Sequence, residues 1–135
     1  METEDLKSVA LLSAILVIAV LGAIAFGDEV ASRELYDAIR QIESGGNDNA
    51  VGDGSVSRGP YQIGSAYWAD SGVRWDYHEF VWSRPHCEYV MHLYFKRYGA
   101  KTPEEMARCH NSGPKWREKF HLTNEYWNRV KENMR

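Results

Sequence analysis

"IESGGNDNAVGDGSVSRGPYQI", Ile42–Ile63, places a glutamate at the end of an apolar-faced stretch, then a run of turn formers, then an aspartate, then a second structured segment. Upstream, Leu35, Ala38, Ile39 and Ile42 recur at helical spacing, and Gly45-Gly46 supplies the left-handed stop that helices often use. The pattern predicts a helix from Ser32 to Glu43, with Glu43 in its last turn. Between Asn47 and Tyr61 the density of Gly, Asn, Asp and Ser reads as turns around a small irregular hairpin.

Working outward, Gln62–Ser71 reads as a short helix. Ser83–Tyr98 reads as a longer one, with Pro85 in its first turn and Cys87, Val90, Met91, Tyr94 and Tyr98 on one face. Thr102-Pro103-Glu104-Glu105 has the form of a capping box, and that helix is expected to run to about His110, before Ser112-Gly113-Pro114. A last helix is expected near Thr123–Asn133, with Tyr126, Trp127 and Val130 inward. The fold class is α+β, mostly helical with one small β-hairpin.

The chain has 135 residues, 44% hydrophobic and 13% aromatic, which is the composition of one globular domain without repeats or low-complexity tracts. Val9–Phe26 carries no charge and is about long enough to cross a bilayer as a helix. Ala23-Ile24-Ala25 also has the small-x-small form of a signal cleavage site, so residues 1–27 are read as a signal anchor or a signal peptide. Residues 28–135 form the domain. Either reading places that domain outside the cytosol, on a single-pass membrane protein or secreted after cleavage.

Without residues 1–25 the chain holds 16 acidic and 15 basic side chains, so no basic excess argues for nucleic acid. Two cysteines, Cys87 and Cys109, allow at most one bridge and no multi-disulfide framework. The five histidines show no zinc-type pairing with them, and neither a metal nor another cofactor is expected. Among the aromatics, Tyr61, Tyr67, Trp68, Trp75 and Trp82 are read mainly as core, with one or two at a cleft rim. Lys115–Lys119 is read as a solvated loop.

A carboxyl group that must donate a proton needs surroundings that disfavour its charge. At Glu43 these are the negative end of the helix dipole and the apolar neighbours Ile39 and Ile42. Asp53, among turn glycines and polar side chains, is expected to stay ionised, and the glycines let the chain fold back so that it faces Glu43. Two carboxyl groups in unlike environments suit glycoside hydrolysis, with one acid for the leaving oxygen and one partner for the oxocarbenium-like transition state. Spacing alone fits equally a solvated helix end and a turn aspartate.

The ordered set "IESGGNDNAVGDGSVSRGPYQIGSAYWADSG", "ARCHNSGPKW" and "EYWNRVK", spanning Leu35–Lys131, resembles the invertebrate-type (destabilase) lysozymes and their lysozyme-like relatives. The resemblance implies a lysozyme-like domain that cleaves the β-1,4 glycan of bacterial peptidoglycan, or a chitin-like glycan. It places the catalytic glutamate at Glu43 and the second acid near Asp53, across a shorter intervening sequence. It also implies Ser57, Tyr61, Gln62, Tyr67, His110 and Asn111 as substrate-binding residues. Arg58 stands where animal members have a cysteine before "GPYQI", which points to a cysteine-poor branch. "ESGGN" is similar also to the soluble lytic transglycosylases, which use a single glutamate, so a transglycosylase stays an alternative. So does a catalytically weak carbohydrate-binding domain. The isopeptidase activity credited to some members, through a serine and a lysine, is not expected, because the lysine position beyond Ser55 is Gly64.

Overall fold

The structure, a computed structural model, describes residues 30–135. The hydrophobic segment expected at residues 1–27, anchor or signal, lies outside the described residues. Among the described residues no helix is long and apolar enough to cross a membrane.

Helix α1 spans Arg33–Ser44, and its start is fixed by Ser32, whose hydroxyl accepts from the Leu35 amide at 3.2 Å. It buries Leu35, Tyr36, Ala38 and Ile39 and stops at Gly45, in the left-handed conformation (φ 61°). The hairpin follows as β1 (Val51–Gly52) and β2 (Ser57–Arg58), antiparallel, with Val51 opposite Arg58 and Gly52 opposite Ser57. A 3-10 turn at Asp53–Ser55 joins the strands.

The helix expected from Gln62 begins later, as α2 at Ser65–Asp70. Gln62 is held at φ 51° and Ile63 pairs back onto Arg58, so the backbone there is committed to the hairpin. A one-turn helix at Tyr77–Phe80 (α3), absent from the sequence reading, is capped by Asp76, which accepts from the Glu79 amide at 2.9 Å. Helix α4 (Arg84–Tyr98) carries Pro85 in its first turn and ends at Gly99. The Thr102–Glu105 capping box starts α5 (Pro103–Ser112), which runs two residues past His110. A 3-10 turn at Phe120–Thr123 leads into α6 (Asn124–Asn133).

α1 packs against α6, α6 against α5, α5 against α4, and α2 against α4. The shared core draws on every one of these helices, from Leu35 and Ile39 through Trp68, Val90, Met91 and Phe95 to Ala107 and Val130. The Lys115–Lys119 stretch is not merely a solvated loop, because Trp116 within it is buried and its indole N–H donates to the Tyr98 carbonyl at 3.0 Å. Cys87 and Cys109 are both free and buried, and burial pushes both thiols up to about 12.

Gly59 sets the distance between the hairpin and the segment before α4. It sits at φ 80°, and a Cβ there would collide with the Val81 carbonyl oxygen. Gly59→Ala is therefore expected to cost about 2 to 4 kcal/mol of unfolding free energy. Denaturant unfolding checks this, and an unchanged midpoint would mean that the hairpin does not depend on the close approach.

Candidate active site

Glu43 sits in the last turn of α1, where the chain leaves the helix for the hairpin. Its Oε1 accepts from the Tyr126 hydroxyl on α6 at 2.7 Å and lies 3.7 Å from His110 Nε2 on α5. Three helices thus converge on one carboxyl group whose side chain keeps 21% of its surface exposed. Burial, with the nearby charge of Glu43, raises the Tyr126 phenol well above its ordinary value, so it stays a hydrogen-bond donor. Oε2 makes no hydrogen bond among the described residues and is the oxygen left for a ligand.

His110 is only 3% exposed at its side chain. Its Nε2 lies 3.0 Å from the Tyr61 carbonyl oxygen, which can only accept, so Nε2 carries the hydrogen. Nδ1 lies 3.0 Å from the Tyr67 hydroxyl. Burial lowers the imidazole's proton affinity, offset in part by the charge of Glu43 and the Tyr61 carbonyl. Burial thus favours the neutral ring, in which Nδ1 accepts from Tyr67. Tyr67 is in turn stacked on Tyr94, with centroids 3.6 Å apart and ring planes at 8°.

Four residues that the resemblance implied as substrate-binding have polar atoms engaged inside the protein. Tyr61, expected to touch glycan, is 0% exposed, and its hydroxyl donates to Glu88 Oε1 at 2.6 Å. Gln62 spends both amide hydrogens on the Ala50 and Gly59 carbonyls, each at 3.0 Å. His110 has both ring nitrogens occupied inside the protein. Tyr67 turns its hydroxyl inward and has one ring face covered. Their polar atoms build the frame behind Glu43 because buried donors and acceptors must find partners, here main-chain carbonyls, the Glu88 carboxylate and one another.

Asn111 and Asp53 are exposed, and Ser57 is half-buried. Asn111 follows His110 directly on α5, and its amide has no hydrogen-bond partner among the described residues. On the hairpin, Ser57 Oγ donates to Asp53 Oδ2 at 2.9 Å, and Asp53 is held at φ 48°. Gly54 and Ser55 continue at φ 63° and 79°. Gly54 takes this conformation freely, whereas Asp53 and Ser55 carry a cost there.

Residues that the sequence reading passed over complete the frame. Glu88 accepts from both terminal guanidinium nitrogens of Arg33, at 2.6 and 2.7 Å, and from the Tyr61 hydroxyl. Burial acts to raise its carboxyl pKa, but those hydrogen bonds and the charges of Arg33 and Arg84 hold it below the ordinary value. Arg108, buried on α5, donates to Thr123 Oγ1 at 3.0 Å and to Glu104 Oε1 at 2.9 Å, and lies 3.7 Å over the Phe120 ring. It fastens the turn from which α6 brings in Tyr126. The spacing of Glu104 four residues before Arg108 on the expected helix was the available signal. Among the described residues no group of three or more His, Cys, Asp or Glu could hold a metal ion.

These shifts predict an acid response in two steps. The unfolded chain protonates His110 at its ordinary value of 6.5, and the folded chain only at lower pH, so stability falls as pH drops below 6.5. Glu88 contributes stability above its ordinary 4.5, which is lost as pH falls through its lower folded value. Denaturant unfolding across this range checks both steps. Stability that stays level down to about pH 5 would contradict a buried neutral His110.

No protein-family model and no curated protein matches the chain. Among solved structures it is similar to a chain of the Aeromonas hydrophila PliI complex with Meretrix lusoria lysozyme. There the identity is 32%, 78% of this chain and 92% of that chain are covered, and the TM-score is 0.68. It is also similar to Tapes japonica lysozyme, at 26% identity with the same coverages and a TM-score of 0.68. Motif order, fold and these neighbours agree that the chain belongs to the invertebrate-type lysozymes.

Proposed function

We propose that this protein is a glycoside hydrolase that cleaves the β-1,4 glycan of bacterial peptidoglycan, with Glu43 as general acid. The observation that carries the proposal is the carboxyl group gripped at one oxygen by Tyr126, backed by neutral His110, and open at the other. The proton leaves from Oε2 to the glycosidic oxygen as the bond from that oxygen to the sugar C1 breaks. The positive charge that develops on the ring is met by Asp53, whose Oδ2 is oriented by Ser57. Water then adds at C1 and returns its proton to the Glu43 carboxylate. Asn111, with a free amide on an exposed turn of α5, is assigned to hydrogen bonding of sugar hydroxyl or N-acetyl groups.

A second reading has one observation in its favour. Asp53 lies on an exposed turn with a single side-chain partner, whereas Glu43 is held from two other helices. A single-glutamate transglycosylase would dispense with Asp53, and the 6-hydroxyl of the cleaved sugar would take the place of water. In either reading the domain stands outside the cytosol, behind the uncharged Val9–Phe26 segment acting as anchor or cleaved signal.

Glu43→Gln keeps an oxygen for the Tyr126 hydroxyl and removes the transferable proton. Turnover of purified peptidoglycan is expected to fall at least about a hundredfold with the fold intact. Near-wild-type turnover in the folded variant would sink the assignment. Asp53→Asn grades the two readings: severe loss supports the two-carboxylate hydrolase, and mild loss the single-glutamate mechanism. Asn111→Ala is expected to weaken binding of chitin or peptidoglycan fragments about threefold to tenfold at an unchanged melting temperature. A lower melting temperature with unchanged affinity would make Asn111 structural.

A further inference from the structure

Helix α4 buries one side and sets apolar side chains among charged ones on the other. Its inner side buries Cys87, Val90, Met91, Tyr94 and Phe95. Its outer side carries Tyr89, 49% exposed, and the half-buried Leu93, beside Val30, 51% exposed. An exposed apolar patch of this kind marks a surface that meets a partner or a membrane. Tyr89 continues this patch into an aromatic cluster. Its ring lies 5.4 Å from Trp75, which is 38% exposed and 4.7 Å from His86, itself 4.5 Å from Phe80. None of these residues is a partner of Glu43.

Where the chain enters the domain indicates what covers the patch. Val30 and Ala31 line the same groove as Tyr36, Tyr89, His92 and Leu93. The uncharged Val9–Phe26 run ends only five residues before Ala31. Five residues reach at most about 18 Å, so a bilayer holding that run lies within this distance of the groove. Tryptophan and tyrosine are the side chains enriched at that depth of a membrane, with an apolar body and a polar tip.

We propose that the outer face of α4, from Trp75 through Tyr89 to Leu93 and Val30, rests on the lipid bilayer that the Val9–Phe26 segment crosses. The domain is thereby held in one orientation on the membrane surface instead of swinging on a tether. This inference rests on the anchor reading of Val9–Phe26 and is independent of the hydrolytic reading of Glu43.

The test uses the full chain reconstituted into phosphatidylethanolamine and phosphatidylglycerol vesicles, some with acyl chains brominated near the headgroup. All five tryptophans lie after residue 67, so quenching reports on the domain and not on the membrane segment. The chain is expected to float with the vesicles, and brominated lipid to quench a component of its fluorescence that Trp75→Phe removes. Tyr89→Asp with Leu93→Asp is expected to reduce that component at least about twofold while the chain still floats and keeps its circular dichroism. Floating protein whose quenching is the same with and without Trp75 overturns the proposal. So does Trp75 emission that responds to peptidoglycan fragments and not to lipid, which would make the face a glycan platform. Protein that stays below the vesicles defeats the anchor reading, and the proposal with it, while peptidoglycan turnover in the same sample reports separately on Glu43.

Discussion

A buried imidazole whose burial disfavours its charged form holds this domain's site together. His110 joins α5 to the segment after the hairpin through the Tyr61 carbonyl, and to α2 through the Tyr67 hydroxyl. The carbonyl requires a hydrogen on Nε2, and burial disfavours a second one on Nδ1. The tautomer is therefore fixed, and with it the relative placement of three segments around Glu43.

Charged side chains do much of the fastening elsewhere. Arg33 and Tyr61 converge on Glu88 to tie α1 and the hairpin exit to α4. Arg108 ties α5 to the turn before α6, and so sets where Tyr126 meets Glu43. Arg58, in the position where animal relatives by motif carry a cysteine, donates to the Ser55 carbonyl at 3.1 Å and to His78 Nδ1 at 3.0 Å. The hairpin is stapled there by hydrogen bonds, and both cysteines stay free in the interior. Removing one member of such a buried or half-buried set leaves its partners unpaired, which costs more than the bond itself contributed.

Helices with local signals were legible in the sequence. Gly45 ended α1, Pro85 marked the first turn of α4, and the Thr102–Glu105 box started α5, all near the expected positions. Glu43 at the end of α1 was legible for the same reason, as was the hairpin between it and Tyr61. Side-chain direction was not. Tyr61, Gln62 and His110 lie in family motifs, yet their polar atoms reach partners 27, 12 and 49 residues away in sequence, which no spacing rule reveals. The α3 turn was missed because one helical turn carries no periodicity, only the Asp76 cap. The delayed start of α2 has the same root, since Ile63 is claimed by the hairpin.

The proposed chemistry is tested most directly by digesting purified peptidoglycan in water enriched in heavy oxygen and weighing the released fragments. Hydrolysis with Glu43 as acid predicts one heavy oxygen at each new reducing end, and no fragments from Glu43→Gln under the same conditions. Fragments that are uniformly anhydro and unlabelled would replace the hydrolase by the transglycosylase. Equal release by wild type and Glu43→Gln would contradict the account at its centre.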